Sequence, residues 1–150
     1  MTLPNDVLLP KVVELIGKGH SVTLPLRGYS MRPFLEDGRD KAVLCRVDTG
    51  SLRRGDVVLA YLPTGKYVIH RIIEISCDNI TLLGDGNLTP EHCRRSDIQA
   101  VVRGFYRKGN TQLCSVGSAK WQIYSLLWMA LRPLRRYLLA LYRKMFLFKK

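Results

Sequence analysis

Apolar positions along the chain change their period twice, and each change marks a different kind of element. Leu8, Leu9, Val12, Val13, Leu15 and Ile16 recur at helical spacing, which predicts a short packing helix over about 6–16, with Gly17 and Gly19 behind it as a stop. Residues 21–26 then read as a strand. Between 41 and 115 the pattern becomes short β-branched runs separated by turn chemistry, predicting strands at 41–47, 56–62, 66–75, 79–83, 98–106 and 112–115. Pro63-Thr64-Gly65, Asp78-Asn79 and Gly109-Asn110 fall between these runs and read as hairpin turns. From 119 the helical period returns in Trp121, Tyr124, Trp128 and Leu131, and again in Leu134, Leu138, Leu141, Met145 and Phe148. Pro133 is expected to kink or separate the two halves. The pattern as a whole predicts a mainly β protein, with an antiparallel β body and its N-terminal helix at 1–117 and a basic amphipathic helical tail at 118–150.

A chain of 150 residues that is 47% hydrophobic can bury a core as one domain, and this composition argues against disorder. The net charge of +12 adds more, because of where it lies. Residues 118–150 hold eight basic side chains (Lys120, Arg132, Arg135, Arg136, Arg143, Lys144, Lys149, Lys150) and no acid, which leaves +4 for the preceding 117 residues. The longest apolar runs of the tail, 126–131 and 137–142, are six residues each, whereas a spanning helix needs roughly 18 or more. The tail is therefore expected to lie on an anionic membrane surface, the alternative being that it covers the β body or a partner. A specific nucleic-acid partner is not expected, since one short N-terminal helix is too small for a helix-turn-helix reader.

Cys45, Cys77, Cys93 and Cys114 are scattered, with no Cys-x-x-Cys unit, and are expected to be free thiols of a reducing compartment. His92-Cys93 supplies two neighbouring ligands, too few for a tetrahedral zinc site. Neither a metal nor another cofactor is expected. Residues 1–10 lack the basic and apolar regions of a signal peptide, so the expected location is cytoplasmic, peripheral at the inner face of the cytoplasmic membrane.

Two stretches carry candidate chemistry. In Gly28-Tyr29-Ser30-Met31-Arg32-Pro33 a hydroxyl lies on a bend constrained by glycine and proline. In Tyr67-Val68-Ile69-His70-Arg71-Ile72-Ile73 a histidine interrupts an apolar strand, sharing one face with Val68 and Ile72 by the period of two. A serine becomes a nucleophile only when a base takes its proton and donors await the oxyanion. A strand histidine taken alone is more often structural.

The order of four segments adds to this. Gly28 to Pro33, Arg54-Gly55-Asp56-Val57-Val58, Ile69-His70-Arg71-Ile72 and Leu83-Gly84-Asp85-Gly86-Asn87 resemble the successive boxes of the superfamily of type I signal peptidases and LexA-type self-cleaving repressors. The match covers about 22–104. A histidine where bacterial relatives carry a lysine base resembles the archaeal and endoplasmic-reticulum branch. The resemblance implies a signal-peptidase or LexA-like antiparallel β body and a serine endopeptidase that cuts a peptide or leader sequence through an acyl-enzyme. Ser30 would be the nucleophile, His70 the general base and Asp85 the acid orienting the imidazole, with Asp97 in reserve. It also implies small residues before the scissile bond.

The chain departs from the pattern in two places. Gly28 stands where many signal peptidases carry an oxyanion-binding serine hydroxyl, and no N-terminal membrane anchor is evident. Two other functions are compatible with the sequence: a catalytically degenerate peptidase body acting as a membrane or protein adaptor, and a LexA-like self-cleaving regulator. The regulator is disfavoured by His70 in place of lysine. Gly55 is read as a turn residue ahead of a strand, and Arg71 as a salt-bridge partner facing away from His70.

Overall fold

The computed structural model describes residues 5–26, 31–33, 35, 39–107 and 112–148. Helix α1 (Asn5–Gly17) buries Leu9, Val12 and Ile16 on one side and leaves Val7 and Leu15 in solvent, as its spacing requires. Eight strands follow: β1 (Val22–Pro25), β2 (Lys41–Cys45), β3 (Val57–Tyr61), β4 (Tyr67–Ser76), β5 (Asn79–Leu83), β6 (Glu91–Arg94), β7 (Ile98–Tyr106) and β8 (Cys114–Ser115). They form one antiparallel sheet in the order β1-β2-β7-β3-β4-β5-β6, with β8 on β7. Helices α2 (Ala119–Ala130) and α3 (Arg135–Phe148) complete the fold, separated by a 3-10 turn at Arg132–Leu134 that contains Pro133. The expected mainly β body with flanking helices is what the chain forms.

Both faces of the sheet are covered. The alternation of side chains divides β3 between two apolar clusters, with Val57 and Leu59 in one and Val58 and Ala60 in the other. The first cluster also takes α1, Leu26, Met31, Leu35, Phe105 and Trp121, with Tyr67 and Ile69 of β4 packed against it. The second holds Ile72, Ile80, Leu82, Cys93 and Ile98. Because β3 is central and apolar on both sides, it fixes the register of β4, pairing Val57 with Arg71 and Val58 with His70.

Two details differ from the expectation. The hairpin between β4 and β5 turns at Cys77-Asp78, one residue before the predicted pair, and Cys77 has a positive φ of 54°. Ser76 opposes Asn79 there, so two residues close the loop. The short strand β6 leaves no mark in the apolar pattern, since Glu91-His92-Cys93-Arg94 buries only Cys93 and shows no apolar alternation. The turn expected at Gly109-Asn110 lies outside the described residues. Gly65 (φ +84°) closes the Pro63-Thr64-Gly65 turn as read, donating to the Leu62 carbonyl.

The tail is part of the core. Ser118 caps α2 by accepting from the Trp121 amide, and Trp121, Ser125 and Trp128 form the buried face of that helix. Trp121 is 2% exposed and lies 4.8 Å from the Phe105 ring, centroid to centroid. Trp121→Ala is expected to cost about 3–5 kcal/mol, the range for truncating a buried aromatic side chain. Urea unfolding of the full chain measures it, and a loss below about 1 kcal/mol would mean that the helix does not contribute to the core as described.

Candidate functional site

Strand alternation places consecutive residues of β4 on opposite sides of the sheet, and two different polar centres result. His70 faces the cluster of Val58, Ala60, Ile72 and Leu82, where it is 4% exposed. Arg71, fully buried, faces the other side beneath α2. The expectation that these two side chains face apart holds.

Around Arg71 every polar contact is short. Its Nε donates to Asp85 Oδ1 and its NH2 to Asp85 Oδ2, both at 2.8 Å, while NH1 donates to Ser125 Oγ at 2.6 Å and to the Gly55 carbonyl at 3.2 Å. The guanidinium also lies 5.1 Å from the Trp121 ring centroid and 5.6 Å from that of Tyr124. Gly55 reaches this position because its φ of +100° is open to glycine, and its amide donates to the Ile72 carbonyl at 2.7 Å. The turn read there from sequence thus also supplies a ligand to Arg71. Burial opposes the Arg71 charge, but hydrogen bonding to Asp85 and its charge outweigh this and raise the pKa.

Asp85 has a different partner from the one the family resemblance implies. Both of its oxygens accept from Arg71, Oδ2 accepts in addition from the Tyr124 hydroxyl at 3.0 Å, and its carbonyl accepts from Trp128 Nε1 at 3.0 Å. The Tyr124 phenol, partly buried and next to this carboxylate, has its pKa pushed well above the ordinary tyrosine value. Asp85 acts on His70 only as a charge through space. The reserve acid Asp97 is also occupied elsewhere, since its Oδ2 accepts from the Arg94 amide at the turn before β7.

The acid beside His70 is Glu91, on β6. Its Oε1 lies 3.4 Å from His70 Nδ1, within ion-pair range but without hydrogen-bond alignment, so Nδ1 and Glu91 Oε2 are buried with no hydrogen-bond partner among the described residues. Desolvation lowers the His70 pKa below its ordinary value, and the charges of Glu91 and Asp85 partly oppose this. The imidazole is therefore neutral at pH 7, the form a general base requires. Sequence reasoning missed Glu91 because it sits on the one strand that the apolar pattern did not reveal. The available signal was an acid seven residues after Gly84, within reach of a neighbouring strand.

Ser30 and Gly28 lie outside the described residues. The chain on either side of them is anchored: Leu26 and Met31 are buried in the cluster against which Tyr67 and Ile69 of β4 pack. Cys45, Cys77, Cys93 and Cys114 are free thiols, and burial pushes the Cys93 pKa up to about 11, which makes it unreactive at neutral pH. Among the described residues no group of three or more His, Cys, Asp or Glu side chains could hold a metal ion. No protein-family model matches the chain, and no curated protein matches it.

Two measurements follow from the two centres. Asp85→Ala leaves the Arg71 charge buried without a counter-ion, so a loss of about 3–5 kcal/mol is expected, whereas replacing both partners (Arg71→Met with Asp85→Leu) should recover most of it. A double-mutant cycle by urea unfolding checks this. For His70 the folded pKa is lower than the unfolded value of about 6.5, so the unfolded chain protonates first as pH falls. Stability from this site is complete above about pH 6.5 and declines below it, and His70→Gln should flatten that decline in unfolding titrations between about pH 5 and 7.

Proposed function

We propose that the protein is a serine endopeptidase of the signal-peptidase-like type, with Ser30 as nucleophile, His70 as general base and Glu91 as the residue that positions the imidazole. The observation that carries this reading is a desolvated, neutral histidine on an apolar strand with a carboxylate facing Nδ1. The order of the Ser30, His70 and Asp85 segments along the chain supports it.

With Glu91 on Nδ1, Nε2 is the nitrogen that takes the proton. Ser30 Oγ adds to the scissile carbonyl carbon as its proton passes to His70 Nε2, and the oxyanion is held by backbone N–H groups near position 30. Collapse breaks the C–N bond, and the departing amine takes the proton from His70. Water, deprotonated by the same nitrogen, then adds to the acyl carbon, and as the ester C–O bond breaks His70 returns the proton to Ser30 Oγ, releasing the acid and regenerating the hydroxyl. Glu91 stabilises the imidazolium formed in both halves of the cycle. Asp85 has a structural task in this scheme: it holds Arg71, the neighbour of His70, in place. The substrate class is a peptide with small residues before the cleaved bond, such as a leader sequence.

The test is covalent labelling with a serine-reactive fluorophosphonate probe, together with cleavage of a peptide library. Labelling at Ser30 that vanishes in Ser30→Ala and His70→Ala supports the proposal, as does loss of cleavage by roughly 10²-fold or more in each variant. Parent-like cleavage in either variant refutes it. The rate should rise with pH through a group below about 6.5 and reach its plateau by neutrality, since only unprotonated His70 is active. Glu91→Gln removes a charge that raises the His70 pKa, so it should lower the rate and shift the midpoint to lower pH.

A further inference from the structure

The helices α2 and α3 each have one face satisfied by the protein and another left in water. On α3 the inward positions are Arg135 and Leu139, both buried. Leu134, Tyr137, Leu141 and Met145, spaced three, four and four residues apart, form a separate stripe that is 54%, 70%, 56% and 57% exposed. On α2, Leu126 and Leu127 are exposed opposite the buried Trp121, Ser125 and Trp128. These are large apolar side chains that the core does not need, because the buried face of each helix is already complete.

We propose that this outward face docks the protein peripherally on an anionic phospholipid surface. The argument rests on charge complementarity. Residues 118–150 contain no acid, and exposed Lys120, Arg132, Arg136, Arg143 and Lys144 accompany the exposed apolar stripe. A second copy of the chain would set this wholly cationic segment against itself, since a two-fold contact pairs a patch with its own equivalent. A nucleic acid would neutralise the charge but leave the leucines, Tyr137 and Met145 in water. An anionic bilayer surface takes both: acyl chains receive the aliphatic and aromatic groups to a depth of about 5–10 Å while phosphates receive the basic heads. No helix among the described residues is long and apolar enough to cross a membrane, so the contact lies in the interface.

The docking face is tied to the body. Trp128 Nε1 donates to the Asp85 carbonyl, and Arg135 donates from NH1 to the Gly84 carbonyl and from NH2 to the Trp128 carbonyl, both at 3.4 Å. The same helices thus hold the Asp85 loop inward and present the stripe outward. This inference does not depend on the chemistry proposed for Ser30, and Ser30→Ala should bind vesicles as the parent does.

Flotation of the 150-residue chain with vesicles rich in phosphatidylglycerol, and with phosphatidylcholine alone, tests it. Binding should be at least about tenfold tighter to the anionic vesicles and should weaken as salt is raised. The triple variant Tyr137→Ser, Leu141→Ser, Met145→Ser should lose about tenfold or more on the anionic vesicles. The variant Arg136→Gln, Arg143→Gln, Lys144→Gln should lose the preference for anionic lipid. All six positions are exposed, so parent-like thermal unfolding of both variants serves as the control for folding. Failure of the parent to float with anionic vesicles overturns the proposal. So does a dimer in sedimentation velocity that the serine variant abolishes, because the stripe would then be an interface between copies.

Discussion

The structure depends on the buried pair of Arg71 and Asp85. Two opposite charges removed from water are costly, and their mutual attraction repays this only where geometry is good and the remaining donors and acceptors are satisfied. Here the pair is bidentate at 2.8 Å, and the other guanidinium contacts go to Ser125 and Gly55, while Tyr124 donates to the carboxylate. One ion pair thereby joins β4, the turn before β3, the loop after β5 and α2. The helical tail is held to the body at this point, and the loop carrying Asp85 cannot move away without stranding a buried charge.

The site follows from that constraint through strand geometry. Fixing Arg71 on one face of β4 fixes His70 on the other, among Val58, Ala60, Ile72 and Leu82. Burial there lowers the His70 pKa, and Glu91 restrains the fall. The balance leaves a neutral imidazole with a carboxylate already in place beside it. A lysine at the same position would need stronger desolvation to be neutral near pH 7, and the ordinary imidazole value makes that unnecessary.

The helices α2 and α3 show why amphipathicity alone does not decide what a helix touches. The aromatic stripe of α2, Trp121, Tyr124 and Trp128, looks from its period like a membrane-facing belt, yet it packs on the sheet and on Arg71. On α3 and the turn before it, the stripe of Leu134, Tyr137, Leu141 and Met145 has a similar period and faces water. Side chains with a polar tip can be buried where a partner is waiting, as Asp85 waits for Tyr124 and Trp128.

Much was legible in the sequence by itself. The change of apolar period located the helices and nearly every strand, Pro133 marked the break in the tail, and alternation in β4 separated His70 from Arg71. These properties are local: each reflects whether neighbouring side chains meet water or core, and a period of 2 or 3.6 records that directly. Tertiary structure alone decided the partners. Nothing in spacing assigns Asp85 to Arg71, 14 residues away, or Ser125 to Arg71, 54 residues away, because the choice depends on which groups lose water together. Glu91 escaped notice for the same reason: its strand buries a single side chain and is held by pairing with β5. The elements are written in the periodicity of the chain, while the pairing of its charges is settled only where those elements exclude water from one another.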